Sequence, residues 1–243
     1  VDQLLVRATA TTTDLNLTLG THLPDGTPVS VSSVTLLDYA PGLGANVDVK
    51  GNGLDNTIVG NSGDNTLKGE GGADELSGGA GSDILFIDAD DTLVDGGTGY
   101  DYVHVATSAP VNLDMTAAHV EWFGGNIGND VADGTGSTVG LAQWGRGGND
   151  ELTGGDGGDI IIGGDGDDTI VGNNGADGLY GADLYNQTGD GEADSFDAGG
   201  GSDVMFIDAT DAGANSANIL GGSGYDYIVV WDDDATSLTL TDA

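Results

Sequence analysis

The chain has 243 residues and a formal net charge of -37, from 41 acidic against 4 basic side chains. That balance repels nucleic acid and anionic membranes and suits cations, and the absence of cysteine excludes disulfides and thiolate metal sites, leaving hard oxygen ligands. Val, Leu, Ile and Phe make up only about 23% of the residues, against 46 glycines that lose much backbone freedom on ordering, so something beyond apolar burial, a bound metal first of all, is expected to hold the fold.

Residues 1–50 carry no repeat. Leu15, Leu17 and Leu19 alternate with polar residues, as do Val29 and Val31, and Pro24-Asp25-Gly26 lies between the two runs, which predicts a hairpin of half-buried strands. The segment is expected to act as a small β cap on the repeats beyond it, because the end of a solenoid must hide an edge and an apolar face. No apolar run approaches the ~20 residues of a membrane span, and no basic, apolar leader opens the chain. With Val1 in place of a Met, the expectation is a piece of a longer chain.

From Gly51 a period of nine sets in: GNGLDNTIV (51), GNSGDNTLK (60), GEGGADELS (69), GGAGSDILF (78), the glycine-free IDADDTLVD (87) and GGTGYDYVH (96). A second array opens with GNIGNDVAD (125), passes through the weak GTGSTVGLA (134), and continues with GRGGNDELT (145), GGDGGDIII (154), GGDGDDTIV (163) and GNNGADGLY (172). After an irregular stretch at 181–188 come GDGEADSFD (189), AGGGSDVMF (198) and, past an insertion, GGSGYDYIV (221). Residues 81–105 also match 201–230 apart from a five-residue insertion, so a larger unit is duplicated. The predicted divisions are a β cap at 1–50 and two roll sections at 51–124 and 125–243.

Each unit reads as a turn of six residues followed by a short strand whose eighth-place aliphatic points inward: Ile58, Leu67, Leu76, Leu85, Val103, Leu152, Ile161, Ile170 and Leu179. Two units close one coil. Parallel strands about 4.8 Å apart then bring each sixth-place acid beside that of the unit two further on, Asp83 beside Asp101 and Asp159 beside Asp177. Two carboxylates about 5 Å apart repel by roughly 3 kcal/mol at an effective dielectric near 20. A calcium ion between the turns reverses that sign and takes six to eight oxygens, which two carboxylates and turn carbonyls can supply.

GGDGDDTIV at 163 fits G-G-x-G-x-D-x-U-x in every defined place, and about a dozen tandem copies make residues 51–230 resemble the RTX (repeats-in-toxin) calcium-binding proteins. The resemblance implies an all-β, right-handed parallel β-roll with several calcium ions between its turns. It also implies ligands from the second- and fourth-place carbonyls and the acid of one turn, with the first- and third-place carbonyls and the acid of the next. Carried over, one site takes Gly79, Gly81 and Asp83 with Gly96, Thr98 and Asp101; a second takes Asn61, Gly63 and Asn65 with Gly78, Ala80 and Asp83. A third takes Gly155, Gly157 and Asp159 with Gly172, Asn174 and Asp177, and a fourth Arg146, Gly148 and Asp150 with Gly163, Asp165 and Asp168. The same places add Asn52, Leu54, Asn56, Gly69, Gly71 and Asp74 in the first array. In the second they add Asn126, Gly128, Asp130, Gly145, Gly147, Gly164, Gly166, Asn173, Gly175, Gly189, Gly191, Asp194, Gly199, Gly201, Asp203, Gly221, Ser223 and Asp226. Departures stand out: Asn56 and Asn65 are neutral, Thr92 falls where Asp74 needs a partner, and Asp203 can meet Asp226 only if 207–220 loops outward.

His22, His104 and His119 lack any metal-binding spacing and are read as surface or strand residues, and Trp122, Trp144 and Trp231 as packing at the roll's edges. No catalytic constellation is present. Asp232-Asp233-Asp234 reads as a solvated loop. The resemblance implies a structural module of a secreted or surface protein, exported by type I secretion from a Gram-negative bacterium and folding when it meets extracellular calcium. The alternatives are the tail of a secreted hydrolase, peroxidase or epimerase, or an adhesion or surface-layer module meeting a carbohydrate or cell surface through Tyr100, Tyr102, Tyr225 and Tyr227.

Overall fold

The computed structural model describes residues 2–7, 15–20, 31–38, 44–182, 192–208, 210–211 and 219–230. These residues form parallel strands joined by tight turns, and the chain divides into two units: Val1–Thr107 with Ala117–Trp122, and Ser108–Thr116 with Phe123–Ala243.

The first unit contains β1 (Asp2–Arg7), β2 (Leu15–Thr18), β3 (Val31–Leu37), β4 (Val47–Asn52), β5 (Thr57–Val59), β6 (Thr66–Glu70), β7 (Glu75–Ala80), β8 (Ile84–Ile87), β9 (Leu93–Thr98) and β10 (Tyr102–Val105). Odd strands make one parallel sheet, β1-β3-β5-β7-β9, and even strands make another, β2-β4-β6-β8-β10. Register advances by two nonapeptides per coil: Ile58 pairs with Leu76 and Leu76 with Val94, while Leu67 pairs with Leu85 and Leu85 with Val103. The chain therefore alternates between two sheets, each nonapeptide supplying one turn and one strand.

The core between the sheets is thin because a three-residue strand sends one side chain inward. Ile58, Leu67, Leu76, Leu85 and Val103 are fully buried, with half-buried or exposed neighbours on either side. One buried aliphatic per nine residues contributes about 1.5–3 kcal/mol, far less than a conventional core supplies over the same length. This is how so glycine-rich a sequence can be ordered with so few large apolar residues, provided its turns contribute stability of their own.

The N-terminal expectation needs one correction. Leu15 pairs with Val47 in one sheet, whereas Val34 pairs with Leu4 and Ile58 in the other, all in parallel. The expected hairpin does not form: its two strands lie in different sheets and are the first coils of the solenoid. Alternation identifies a half-buried strand but is silent on its partner, and stacking each strand on the next coil lets both bury one face in a single continuous core. Pro24-Asp25-Gly26 and Val29 lie outside the described residues.

The second unit begins with β11 (Asn112–Asp114); β12 (Trp122–Gly124) lies where the chain passes from one unit to the other. Next come β13 (Val131–Asp133), β14 (Ala142–Gly147), β15 (Glu151–Thr153), β16 (Ile160–Asp165), β17 (Thr169–Val171), β18 (Asn174–Gly175) and β19 (Gly178–Tyr180). The last are β20 (Ser195–Asp197), β21 (Gly200–Gly201), β22 (Val204–Ile207), β23 (Ile219–Leu220), β24 (Ser223–Gly224) and β25 (Tyr227–Val230). Leu113, Ala132, Leu152, Ile170, Phe196 and Ile219 align across one sheet, and Ile161, Leu179, Met205 and Ile228 across its partner. Register survives both insertions, since Ile170 meets Phe196 and Phe196 meets Ile219. The extra residues therefore fall between β19 and β20 and between β22 and β23 in the sequence, without shifting the pairing of the strands on either side.

Candidate cation-binding turns

Stacked coils place the six-residue turns in rows along the edges of the sheets. Within a row each sixth-place side chain reaches back one coil. In the first unit Asp74 Oδ1 accepts the amide of Asn56 at 2.7 Å, Asp83 Oδ1 that of Asn65 at 2.7 Å, and Asp101 Oδ1 that of Asp83 at 2.7 Å. In the second unit one ladder runs through Asp130, Asp150, Asp168 and Asp194 (2.7, 2.8 and 2.7 Å) and another through Asp159, Asp177, Asp203 and Asp226 (2.8, 2.9 and 3.3 Å). Asp203 and Asp226 meet despite the insertion, as required for them to share an ion.

The other carboxylate oxygen is what sets these residues apart. Oδ2 of Asp74, Asp83, Asp101, Asp150, Asp177 and Asp203 is buried and accepts no hydrogen bond, and each of these residues is at most 2% exposed. Burial raises Asp83 to about 7, helped by the charge of Asp101, and it raises Asp150 to about 8, helped by Asp168 and Asp130. Asp177 rises to about 7 and Asp101 to about 6, again chiefly by burial, and Asp74, Asp130, Asp159 and Asp203 move the same way. Buried carboxylates with an unused oxygen are costly unless a counter-charge meets them.

Backbone carbonyls converge on the same spaces. A β-carbon added to Gly79 or Gly81 would strike the carbonyl of Asn61 or Gly63, and one on Gly97 or Gly99 would strike that of Gly79 or Gly81. The second- and fourth-place carbonyls of one turn thus face the next turn. First-place carbonyls face the other way: those of Gly96, Gly163 and Gly172 lie against Gly78, Gly145 and Gly154. The third-place oxygens of Thr98 and Asp165 accept the amides of Gly81 (3.0 Å) and Gly148 (2.8 Å). In all four sites carried over from the repeat pattern the turns are adjacent, with turn carbonyls at their junction and two carboxylates in three of them; the Asn61–Asp83 site has one, since Asn65 is neutral. At Gly69, Gly145, Gly154, Gly163 and Gly172, Oδ2 of the turn's own acid crowds the place a β-carbon would take; a methyl on Gly172 would lie 2.6 Å from Asp177 Oδ2.

Turns differ along a row. Places two and four have positive φ at Gly79 and Gly81 (106° and 112°), Gly164 and Gly166 (118° and 126°), and at Glu70 and Gly72, Arg146 and Gly148, and Asn173 and Gly175. The opening turns lack this pair of positive φ angles and close on themselves. There the second-place amide bonds the turn's own sixth residue, from Asn52 to Asn56 Oδ1 and Asn61 to Asn65 Oδ1 (both 2.9 Å), and from Asn126 to Asp130 Oδ2 (2.9 Å). Gly155 does the same to Asp159 Oδ2 at 2.7 Å.

Three ladder acids escaped the repeat pattern. Thr92 sits in the sixth place, yet it is Asp91 Oδ1 that accepts the Asp74 amide, at 3.2 Å. Asp211 Oδ1 accepts that of Asp194 at 2.7 Å, and Glu121 Oε2 that of Asp101 at 2.7 Å. Asp91 and Asp211 occupy equivalent places in the duplicated Ile-Asp-Ala-x-Asp segments, which is the signal that could have found them. A second ladder at the fifth place was also missed: Asp64 Oδ1 accepts the Ser82 amide (2.8 Å), Asp55 that of Ala73 (3.0 Å) and Asp167 that of Ala193 (2.8 Å).

Among the described residues no three His, Cys, Asp or Glu side chains converge on one point. A site between turns would take one acid from each and draw its remaining donors from the backbone. His104 stacks on Phe86 (5.3 Å) and lies 4.6 Å from Trp122, and Arg146 lies over Trp144, whereas the exposed His119 places Nδ1 2.9 Å from Asp95 Oδ1. His22, Gly189, Gly191, Trp231 and Asp232–Asp234 lie outside the described residues. No helix among them is long and apolar enough to cross a membrane.

Residues 50–85 and 144–182 match the family model of the RTX calcium-binding nonapeptide repeat, in its four-copy form. These spans contain Asp74, Asp83, Asp150, Asp159, Asp168 and Asp177. No curated protein matches the chain.

Proposed function

Because the chain is an RTX repeat protein, we propose that calcium ions lie between successive turns of each row and that binding them completes the fold. The observation that carries this reading is the set of buried Oδ2 atoms of Asp74, Asp83, Asp101, Asp150, Asp177 and Asp203, which lack a donor and stand in register with turn carbonyls. Two carboxylates and several carbonyls suit calcium's six to eight flexible oxygen contacts better than magnesium's tight octahedron with retained waters. When bound, the ion supplies positive charge that offsets the carboxylate repulsion. The protein's own part is to hold oxygens of two turns one coil apart.

Such a module is disordered where calcium is scarce and rigid where it is abundant, which fits a structural, stabilising part of a larger secreted or surface protein. RTX repeat proteins are generally extracellular, and export by type I secretion from a Gram-negative cell belongs to the same reading. The two roll sections then act as successive calcium-loaded blocks behind their N-terminal strands. Circular dichroism with calorimetric titration tests it: β structure should appear in millimolar calcium, fail to appear in equal magnesium, and vanish in excess chelator. Equal β content in all three would overturn it.

An adhesive role draws support from the exposure of Tyr225 (82%), just before β25, and Tyr227 (66%), on β25. A glycan array probed in calcium with the wild type and with Tyr225→Ala/Tyr227→Ala tests it.

A further inference from the structure

The two Asp-Ala-x-Asp segments break the nonapeptide at matching places in the duplicated unit, at 88–91 and 208–211, and both lack the glycines of a regular turn. Their geometry agrees. Asp91 Oδ2 accepts the amide of Asp88 and Asp211 Oδ2 that of Asp208, each at 2.8 Å. Asp88 Oδ1 in turn accepts the Asp90 amide at 2.9 Å, and Asp208 Oδ1 the Thr210 amide at 2.6 Å. The remaining oxygens, Asp91 Oδ1 and Asp211 Oδ1, take the ladder bonds from Asp74 and Asp194.

Both oxygens of these two aspartates are therefore met by backbone amides. Asp83 and Asp150, inside the rows, have only one oxygen so met, and the other is buried without a donor. A carboxylate that already accepts two amide hydrogens has its charge stabilised by the protein and needs a cation less.

We propose that Asp91 and Asp211 are end-stops, closing a row of cation-binding turns by hydrogen bonds alone and holding the last regular turn, at Asp74 and at Asp194, in register without an ion of their own. This rests on the calcium reading above. It assigns the acidic Asp88–Asp91 and Asp208–Asp211 turns a positioning role that neither the repeat pattern nor the family match covers.

The test counts bound calcium by native mass spectrometry and measures amide exchange in saturating calcium, on the full chain. Asp83→Asn is the interior control and should lose calcium relative to wild type. Asp91→Asn, and independently Asp211→Asn should the first fail to fold, should keep the wild-type count. Each should instead lose exchange protection by about fivefold or more at its neighbouring turn, around 74–80 or around 194–201. Loss of an ion from Asp91→Asn or Asp211→Asn, as from Asp83→Asn, would overturn the proposal and make these turns metal sites. Unchanged protection would overturn it as well. A wild type that binds no calcium would sink the calcium reading itself, an outcome distinct from either.

Discussion

The amide of Asp83 donates to Asp101 Oδ1 at 2.7 Å, while Oδ2 of the same Asp83 lies buried with no donor of its own. One coil thus fixes the position of the next acid and at the same time leaves half of its charge uncompensated. Stacking and cation demand come from a single arrangement.

Asp83→Asn separates those two roles. An asparagine oxygen can still accept the Asn65 amide, so the ladder bond persists while the charge is gone. The calcium midpoint for folding, followed by circular dichroism, should rise about tenfold or more, a loss of about 1.4 kcal/mol. In chelator the sign reverses, and the variant should be more structured than wild type because one repulsion has been removed.

Acidity should partly replace the metal. The raised values of Asp83, Asp101, Asp150 and Asp177, about 6 to 8 against 3.8 for an ordinary aspartate, mean that the metal-free fold holds more protons than the unfolded chain. Its stability is then greatest below about pH 4 and declines as pH rises through that window. In chelator, β structure should be recovered on going from pH 8 to pH 5. With calcium present, affinity should increase in the opposite direction, with rising pH, as protons stop competing for the carboxylates. A flat pH response in chelator would count against the buried carboxylates as its source.

Two glycine substitutions should part company. A methyl at Gly145 collides with Asp150 Oδ2 and crowds the Gly163 carbonyl, whereas Gly53 has nothing within 4 Å of its missing β-carbon. Gly145→Ala should cost about 1–3 kcal/mol in chemical denaturation in calcium. Gly53→Ala should stay within about 0.5 kcal/mol of wild type.

The fifth-place ladder predicts a smaller effect. Asp64 Oδ1 accepts the Ser82 amide, and the Asp64 amide itself donates to Asn46 Oδ1 at 3.0 Å. These bonds are exposed and run opposite to the sixth-place ladder. Asp64→Ala should lower stability by about 0.5–1.5 kcal/mol without changing the number of ions bound.

The nonapeptide period alone determined the coil: Ile58, Leu67, Leu76 and Leu85 are inward because a three-residue strand has one inward place, and two units per coil follow from packing two such strands face to face. Paired acids were legible for the same reason, since Asp83 and Asp101 recur at the coil spacing. The partners of Leu15 and Val34 were not legible, because alternation marks a buried face without naming what covers it. Asp91 was readable only through the duplicated Ile-Asp-Ala-x-Asp segments, one place out of the nonapeptide register, and Glu121 needed the tertiary structure, since hydrogen bonding depends on where a carboxylate arrives in space. Only the folded turns could separate Asp130, whose oxygens both meet amides from Val111 and Asn126, from Asp150, whose second oxygen meets none. That difference lies in backbone φ angles and local donors, which identical sixth-place aspartates do not encode.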